Sequence, residues 1–191
     1  MTGKSNIIII LAAGEGTRMN SELPKVLHLL KNKPLLSYVI NTSKKLSPFK
    51  IIVVVGYKKE LIIDQFKDND VVFVEQKKLI GTADAIKNCL PYMKNFNGNI
   101  LILSGDVPMI KADTLMNFFS HHKAHKALGS LISTDLEDPA GYGRVIKNRH
   151  NQLSEIIEHK DANNQQRLIR EINSGIYIFD SKVLVAIYNS L

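Results

Sequence analysis

Four runs of consecutive apolar, mostly β-branched residues punctuate the first half of the chain, at 7–11 (IIIIL), 51–55 (IIVVV), 71–74 (VVFV) and 100–103 (ILIL). Such a strand has no polar face to turn to water, so it is buried on both sides, as strands inside a parallel sheet are. Between the runs the spacing becomes helical. Pro34 opens one such segment, with Leu35, Leu36, Val39, Ile40 and Leu46 as its apolar positions, and further helical patterns cover 58–68, 82–93 and 112–126. Strand and helix alternating in this way predict right-handed crossovers and an α/β fold with a doubly wound, mostly parallel sheet. A ligand crevice is expected beyond the carboxyl ends of its strands. After about Leu128 the rhythm shifts to strand-like segments (LGSLIST, YGRVI, LSEIIEH, EINSGIYIF), which predict a β-hairpin region added to one edge. No repeat or linker interrupts residues 1–191, so a single domain is expected.

Composition narrows the picture. With 191 residues, 45% hydrophobic and 23% charged, the chain can bury a substantial core and reads as soluble and globular. The single cysteine, Cys89, excludes an intrachain disulfide and a cysteine-based zinc cage, which points to the cytoplasm. The start MTGKSNIIIILAAG mimics a signal peptide, but its short apolar run leads into a glycine loop, so it reads as a buried first strand. No run approaches membrane-spanning length.

The formal net charge of +7 favours anionic partners. Nucleic acid is not expected among them, because the lysines are scattered and many neighbour acids, as in KDNDVV and EHKDA.

The candidate chemistry begins directly after the first apolar run, at LAAGEGTRMNSELPK. Gly14 and Gly16 are followed by Met19 where the dinucleotide fingerprint needs a third glycine, and a P-loop would need Gly-Lys-Ser/Thr. Glycines nonetheless let backbone amides approach a phosphate chain or a flat base, while Arg18 and Lys25 offer charge to neutralise a triphosphate. In ILILSGDVPMI a buried strand delivers Asp106 to the crevice, where a carboxylate can hold Mg²⁺ together with substrate phosphates and waters, or simply terminate a turn before Pro108.

QKKLIGTADAI sets Gln76 at a strand end and Gly81-Thr82 before a helix, so an amide able to read a base edge meets a helix start, with Thr82 also a candidate cap. Glu158 and Asn173, in IIEHKDA and EINSGIY, are of the kind that grip sugar hydroxyls. AGYGRV adds a further glycine turn. HHKAH puts His121 and His125 one helical turn apart but lacks the glutamate of HExxH, so a solvated helix face is expected. Ser104 has no Gly-x-Ser-x-Gly elbow, which argues against a hydrolase.

Taken in order, LAAGEGTRMNSELPK, EQKKLIGTADA, LSGDVP, DPAGYGR, EHKDA and EINSGIY resemble the uridylyltransferase domain of the bifunctional GlmU enzymes, from about Ile7 to the chain's end. The resemblance implies a Rossmann-like nucleotidyltransferase fold, incomplete at the C-terminus, that joins UTP to N-acetylglucosamine 1-phosphate. The products would be UDP-N-acetylglucosamine, a cell-wall precursor, and pyrophosphate. It implies that Leu11, Ala12, Ala13, Gly14, Gln76, Gly81 and Thr82 hold uridine, that Arg18 and Lys25 hold phosphates, that Asp106 ligates Mg²⁺, and that Gly143, Glu158 and Asn173 contact the sugar. It sets no oligomeric state, a homo-oligomer included.

Departures from the family pattern are Glu15 for a common lysine, Ser104 for an aromatic, and Ala83-Asp84 for a small residue and histidine. They leave open a related enzyme with another base or sugar. A catalytically silent module that binds nucleotide sugars also stays open.

Overall fold

The computed structural model describes residues 6–16, 19 and 21–190, which pack as two compact units, one of the described residues within 1–130 and 177–191 and the other 131–176. Each apolar run of the first unit forms a strand: β1 (Asn6–Ala12), β4 (Lys50–Val55), β5 (Val72–Glu75) and β6 (Asn99–Ser104). β1 lies between β4 and β6 and pairs in parallel with both, Ile8 standing opposite Ile51 on one side and Leu101 on the other. β5 extends the sheet beyond β4 in parallel, and the last residues of β10 (Glu171–Asp180) pair antiparallel with β6. Ile7, Ile8, Ile9 and Ile10 are wholly buried, as a strand covered on both faces requires.

Alternation divides those isoleucines between two layers. Ile7 and Ile9 face a core containing Ala85 and Ile86 of α3 (Thr82–Lys87), Met93 of α4 (Leu90–Met93) and Leu184 of α7 (Ser181–Asn189). Ile8 and Ile10 face the opposite side, and α1 (Leu35–Lys44), which buries Leu36, Val39 and Ile40, packs against β1 and β4.

Two helical expectations need revision, and one hairpin was not expected. The pattern over 82–93 folds as two short helices, because Pro91 has no N–H for the Lys87 carbonyl, and the first helix closes with a tight Cys89 N to Ile86 O bond of 2.8 Å. The helix after Pro34 stops at Lys44, and Leu46 is buried beyond it, just before Ser47 at φ 47°. A two-residue hairpin, β2 (Leu29–Leu30) and β3 (Lys33–Pro34), goes unseen in the sequence. Its turn residues Lys31 and Asn32 adopt φ of 47° and 61°, the left-handed pair that matches strand twist. The other two helical patterns form α2 (Lys59–Phe66) and α5 (Ala112–Ala124).

The second unit carries the expected hairpins. β8 (Arg144–Lys147) and β9 (Leu153–Ile157) pair antiparallel around a turn in which Asn148 Oδ1 accepts from the backbone of His150 and Gln152. Ile172 of β10 stands opposite Arg144 of β8, and β10 also pairs with β7 (Gly129–Asp135). The short α6 (Asn164–Arg167) begins with a reciprocal capping box between Asn163 and Gln166. Among the described residues no helix is long and apolar enough to cross a membrane.

Because Ile8 is fully buried at the centre of the sheet, Ile8→Ala is expected to lower unfolding free energy by about 2–5 kcal/mol. Met109→Ala, at a site 76% exposed, should change it by less than about 0.5 kcal/mol. Urea denaturation of both variants checks the contrast.

Candidate active site

The parallel register brings three strand ends to one place. Beyond β1, Gly105 N donates to Leu11 O at 2.8 Å and Tyr57 N to Ala13 O at 3.1 Å. Beyond β5, Gln76 N donates to Val55 O at 2.7 Å. In the first unit these ends enclose a cleft of about 360 Å³. Leu11, Ala12, Ala13 and Gly14 line it where β1 stops. Gln76, Gly81 and Thr82 line it from the β5 end, and Lys25 and Asp106 line it as well. Arg18 lies outside the described residues.

The cleft is also lined by Gly16, Val26, Leu79, Ala85 and Ser104, which were not assigned roles from sequence. Only Gly16 carried a usable signal, its place in the same glycine-rich loop. It adopts φ +71°, and a Cβ there would lie 2.7 Å from Lys25 Cβ, so the loop can fold onto Lys25 only with glycine.

Lys25 opens a 3₁₀ turn after Pro24, and its ammonium forms an ion pair with Asp106 Oδ2. The other carboxylate oxygen, Oδ1, accepts a 2.5 Å hydrogen bond from Ser104 Oγ. Burial pushes the Asp106 carboxyl up, but the hydrogen bonds from Lys25 and Ser104 together with the lysine charge outweigh it and hold the group below the ordinary carboxylate range. Asp106 therefore stays ionised in the cleft and already draws a cation. Among the described residues no group of three or more His, Cys, Asp or Glu side chains is placed to cage a metal.

Gln76 is buried, and its Nε2 donates to Gly81 O and to Asp84 Oδ2, both at 3.0 Å. Thr82 is not the helix cap: Gly81 takes that position, with no side-chain hydrogen bond, and Thr82 is the first helical residue.

Gly143, Glu158 and Asn173 come together within the second unit. Asn173 N donates to Gly143 O at 2.9 Å, and a Cβ at Gly143 would sit 3.3 Å from Glu158 Oε1. Beneath them Arg144 is only 1% exposed, a burial the sequence did not signal. Its guanidinium donates to the Tyr142 carbonyl and reaches Arg167 O and His159 Nδ1, each at 3.4 Å, so it ties two loops and the end of α6 together.

Elsewhere, the rings of His121 and His125 stack at 4.1 Å on an exposed surface. The histidine between them departs from the solvated face expected: His122 is buried, pairs with Ser130 Oγ at 2.8 Å, and has its pKa pushed down by burial. Cys89 is buried, and desolvation raises its thiol to about 12, which leaves it unreactive.

The family model described as "Nucleotidyl transferase" matches residues 7–191. The chain is 41% identical over 185 residues to "Bifunctional protein GlmU" of Rippkaea orientalis, covering 96% of this chain and 41% of that protein. It is 44% identical over 177 residues to the protein of the same name from Geotalea daltonii, covering 92% and 39%. The chain thus spans about two fifths of these relatives' length.

Among solved structures, HddC from Yersinia pseudotuberculosis superposes with a TM-score of 0.72 at 23% identity, covering 94% of this chain and 79% of that one. UDP-glucose pyrophosphorylase complexed with UDP-glucose superposes with a TM-score of 0.76 at 18% identity, covering 96% and 78%. These likenesses show the fold, a mostly parallel sheet flanked by helices.

Removing the lysine charge should release Asp106. In Lys25→Ala, burial is opposed chiefly by the Ser104 bond, so the carboxyl pKa is expected to rise relative to the wild type, as carboxyl ¹³C NMR titration would read. In the wild type the depressed pKa gives stability that is present above the ordinary aspartate pKa and lost as pH falls through the lowered value; the variant should lose this acid-sensitive component.

Proposed function

Because the chain belongs to the nucleotidyl transferase family, we propose that it transfers uridylyl from UTP to N-acetylglucosamine 1-phosphate, giving UDP-N-acetylglucosamine and pyrophosphate. The observation that carries this reading is the cleft at the strand ends, where a glycine loop, Lys25 and an ionised Asp106 stand with the Gln76 amide. The similarity to proteins named GlmU supports the choice of substrates.

The chemistry asks little covalent help of the protein. An oxygen of the sugar phosphate attacks the α-phosphorus of UTP, the bond to the bridging oxygen breaks, and pyrophosphate leaves. The nucleophile is already an anion, so no general base is needed; the obstacle is holding two anions in line. Lys25 and Arg18 are the cations assigned to the triphosphate, and the backbone of Leu11, Ala12, Ala13 and Gly14 lets the nucleotide approach closely. Asp106 would hold Mg²⁺, which the kept-ionised carboxylate fits and which, when bound, supplies charge neutralisation to the phosphates. Gly81 and Thr82, which line the cleft, are assigned to uridine, while the grouping of Gly143, Glu158 and Asn173 supports their assignment to the sugar.

Pyrophosphate release, measured for each nucleoside triphosphate with each of several sugar 1-phosphates, tests the proposal. UTP with N-acetylglucosamine 1-phosphate is expected to give the highest rate and to need Mg²⁺. Release with no pair would favour a silent binding module, and a preference for another base or sugar would redirect the assignment within the family. Lys25→Ala and Arg18→Ala should each lower turnover about a hundredfold while the protein stays folded, Lys25→Ala losing only the stability its ion pair with Asp106 contributes. Loss of folding in step with activity would make those charges structural.

A further inference from the structure

We infer that Asp84 is a positioning residue for base selection: it holds the Gln76 amide in the orientation that presents a carbonyl oxygen to the nucleotide base. The inference rests on the reading of the cleft as a nucleotide site. Gln76 is 5% exposed and its backbone is anchored to Val55 O, so the side chain has little room to move. The two ends of a carboxamide have nearly the same shape, and their partners decide which way round they sit.

Both partners at this end are acceptors, the Gly81 carbonyl and the Asp84 carboxylate, each 3.0 Å from Nε2. Turning the amide over would set its oxygen against two others, one of them charged. The carboxylate makes the stronger of the two bonds, since a charged acceptor roughly doubles a hydrogen bond's strength. The two N–H groups are therefore spent inside the protein, and Oε1 is the atom left to meet a ligand.

Asp84 is itself fixed. It lies in the first turn of α3, its carbonyl accepts from Asn88 Nδ2 at 2.7 Å, and the same Nδ2 lies 3.5 Å from Asp84 Oδ2. The neighbouring Ala83 carbonyl accepts from the Tyr188 hydroxyl of α7 at 2.8 Å, which pins the start of the helix.

A fixed acceptor selects a base that carries a ring N–H, as uracil does at N3. Cytosine offers a lone pair at the same ring position, so acceptor would face acceptor and both would be desolvated without a partner. Asp84 thus acts at one remove: it never needs to touch the base, yet it sets which hydrogen-bonding edge Gln76 shows.

Isothermal titration of UTP and of CTP, without sugar phosphate, into wild type, Asp84→Ala, Asp84→Asn, Gln76→Ala and the double variant tests this. Asp84→Ala should bring the UTP-to-CTP affinity ratio down about tenfold, roughly one hydrogen bond's worth of discrimination. Asp84→Asn, whose amide oxygen can accept the same bond, should retain most of the ratio. In the Gln76→Ala background the alanine change at 84 should make no further difference, which a general structural effect would not reproduce. Should Asp84→Ala not fold, Asp84→Ser, too short to reach Gln76, gives the same comparison. An unchanged ratio in the alanine or serine variant, or a further fall in the double variant, overturns the positioning role. Failure of the wild type to bind UTP at all overturns the nucleotide reading itself, a result distinct from both.

Discussion

Everything assigned to the cleft depends on β1 being paired in parallel on both sides. With Ile8 opposite Ile51 and Leu101, the carboxyl ends of β1, β4 and β6 fall level, and the chain must leave all three at the same edge. The strand order β5-β4-β1-β6 reverses direction of travel at β1, and crevices open where that happens. Slipping one residue would turn Ile7 and Ile9 to the α1 side and Ile8 and Ile10 to the other, so the buried isoleucines lock the register that positions the site. The energy of the core and the geometry of the chemistry are one constraint.

Within that frame, the cleft is built from compensated charges and spent hydrogen bonds. Asp106 lies partly out of water, which alone would favour its neutral form; Lys25 and Ser104 reverse the balance. Two residues share the task because a single exposed cation is screened by solvent, whereas a short hydroxyl bond is not. The amide of Gln76 follows the same logic with a neutral group, its donors consumed by Asp84 and Gly81. In the second unit Arg144 is the costlier case. A buried guanidinium held by carbonyls and a histidine nitrogen has Nε without a partner, and such a group survives only where many contacts over-determine it.

The fold was legible where one-dimensional pattern and burial agree. Unbroken β-branched runs could only be two-sided strands, and all four appear within a residue or so of where the pattern puts them. The misses have local causes: Pro91 splits a periodic segment that apolar spacing alone reads as continuous, and β2 and β3 are too short to show a period. Of the cleft lining, the glycine loop, Gln76 and Asp106 were legible because each is an unusual residue type just past an apolar strand, and Lys25 because it is a cation on the loop that leaves β1. The Ser104 bond, the Asp84 clamp and the burial of Arg144 were not, since each is a contact between side chains whose meeting is set by tertiary packing.

The central claim, that the strand-end cleft receives a uridine nucleotide, is tested most directly by titrating UTP with Mg²⁺ into ¹⁵N-labelled protein and following amide shifts. The account places the largest shifts at Ala12 to Gly16, at Gln76, across Gly81 to Ala85 and at Ser104 to Asp106, with the interior of β4 left quiet. Shifts absent from those residues, or concentrated on the exposed histidine face of α5, would contradict it.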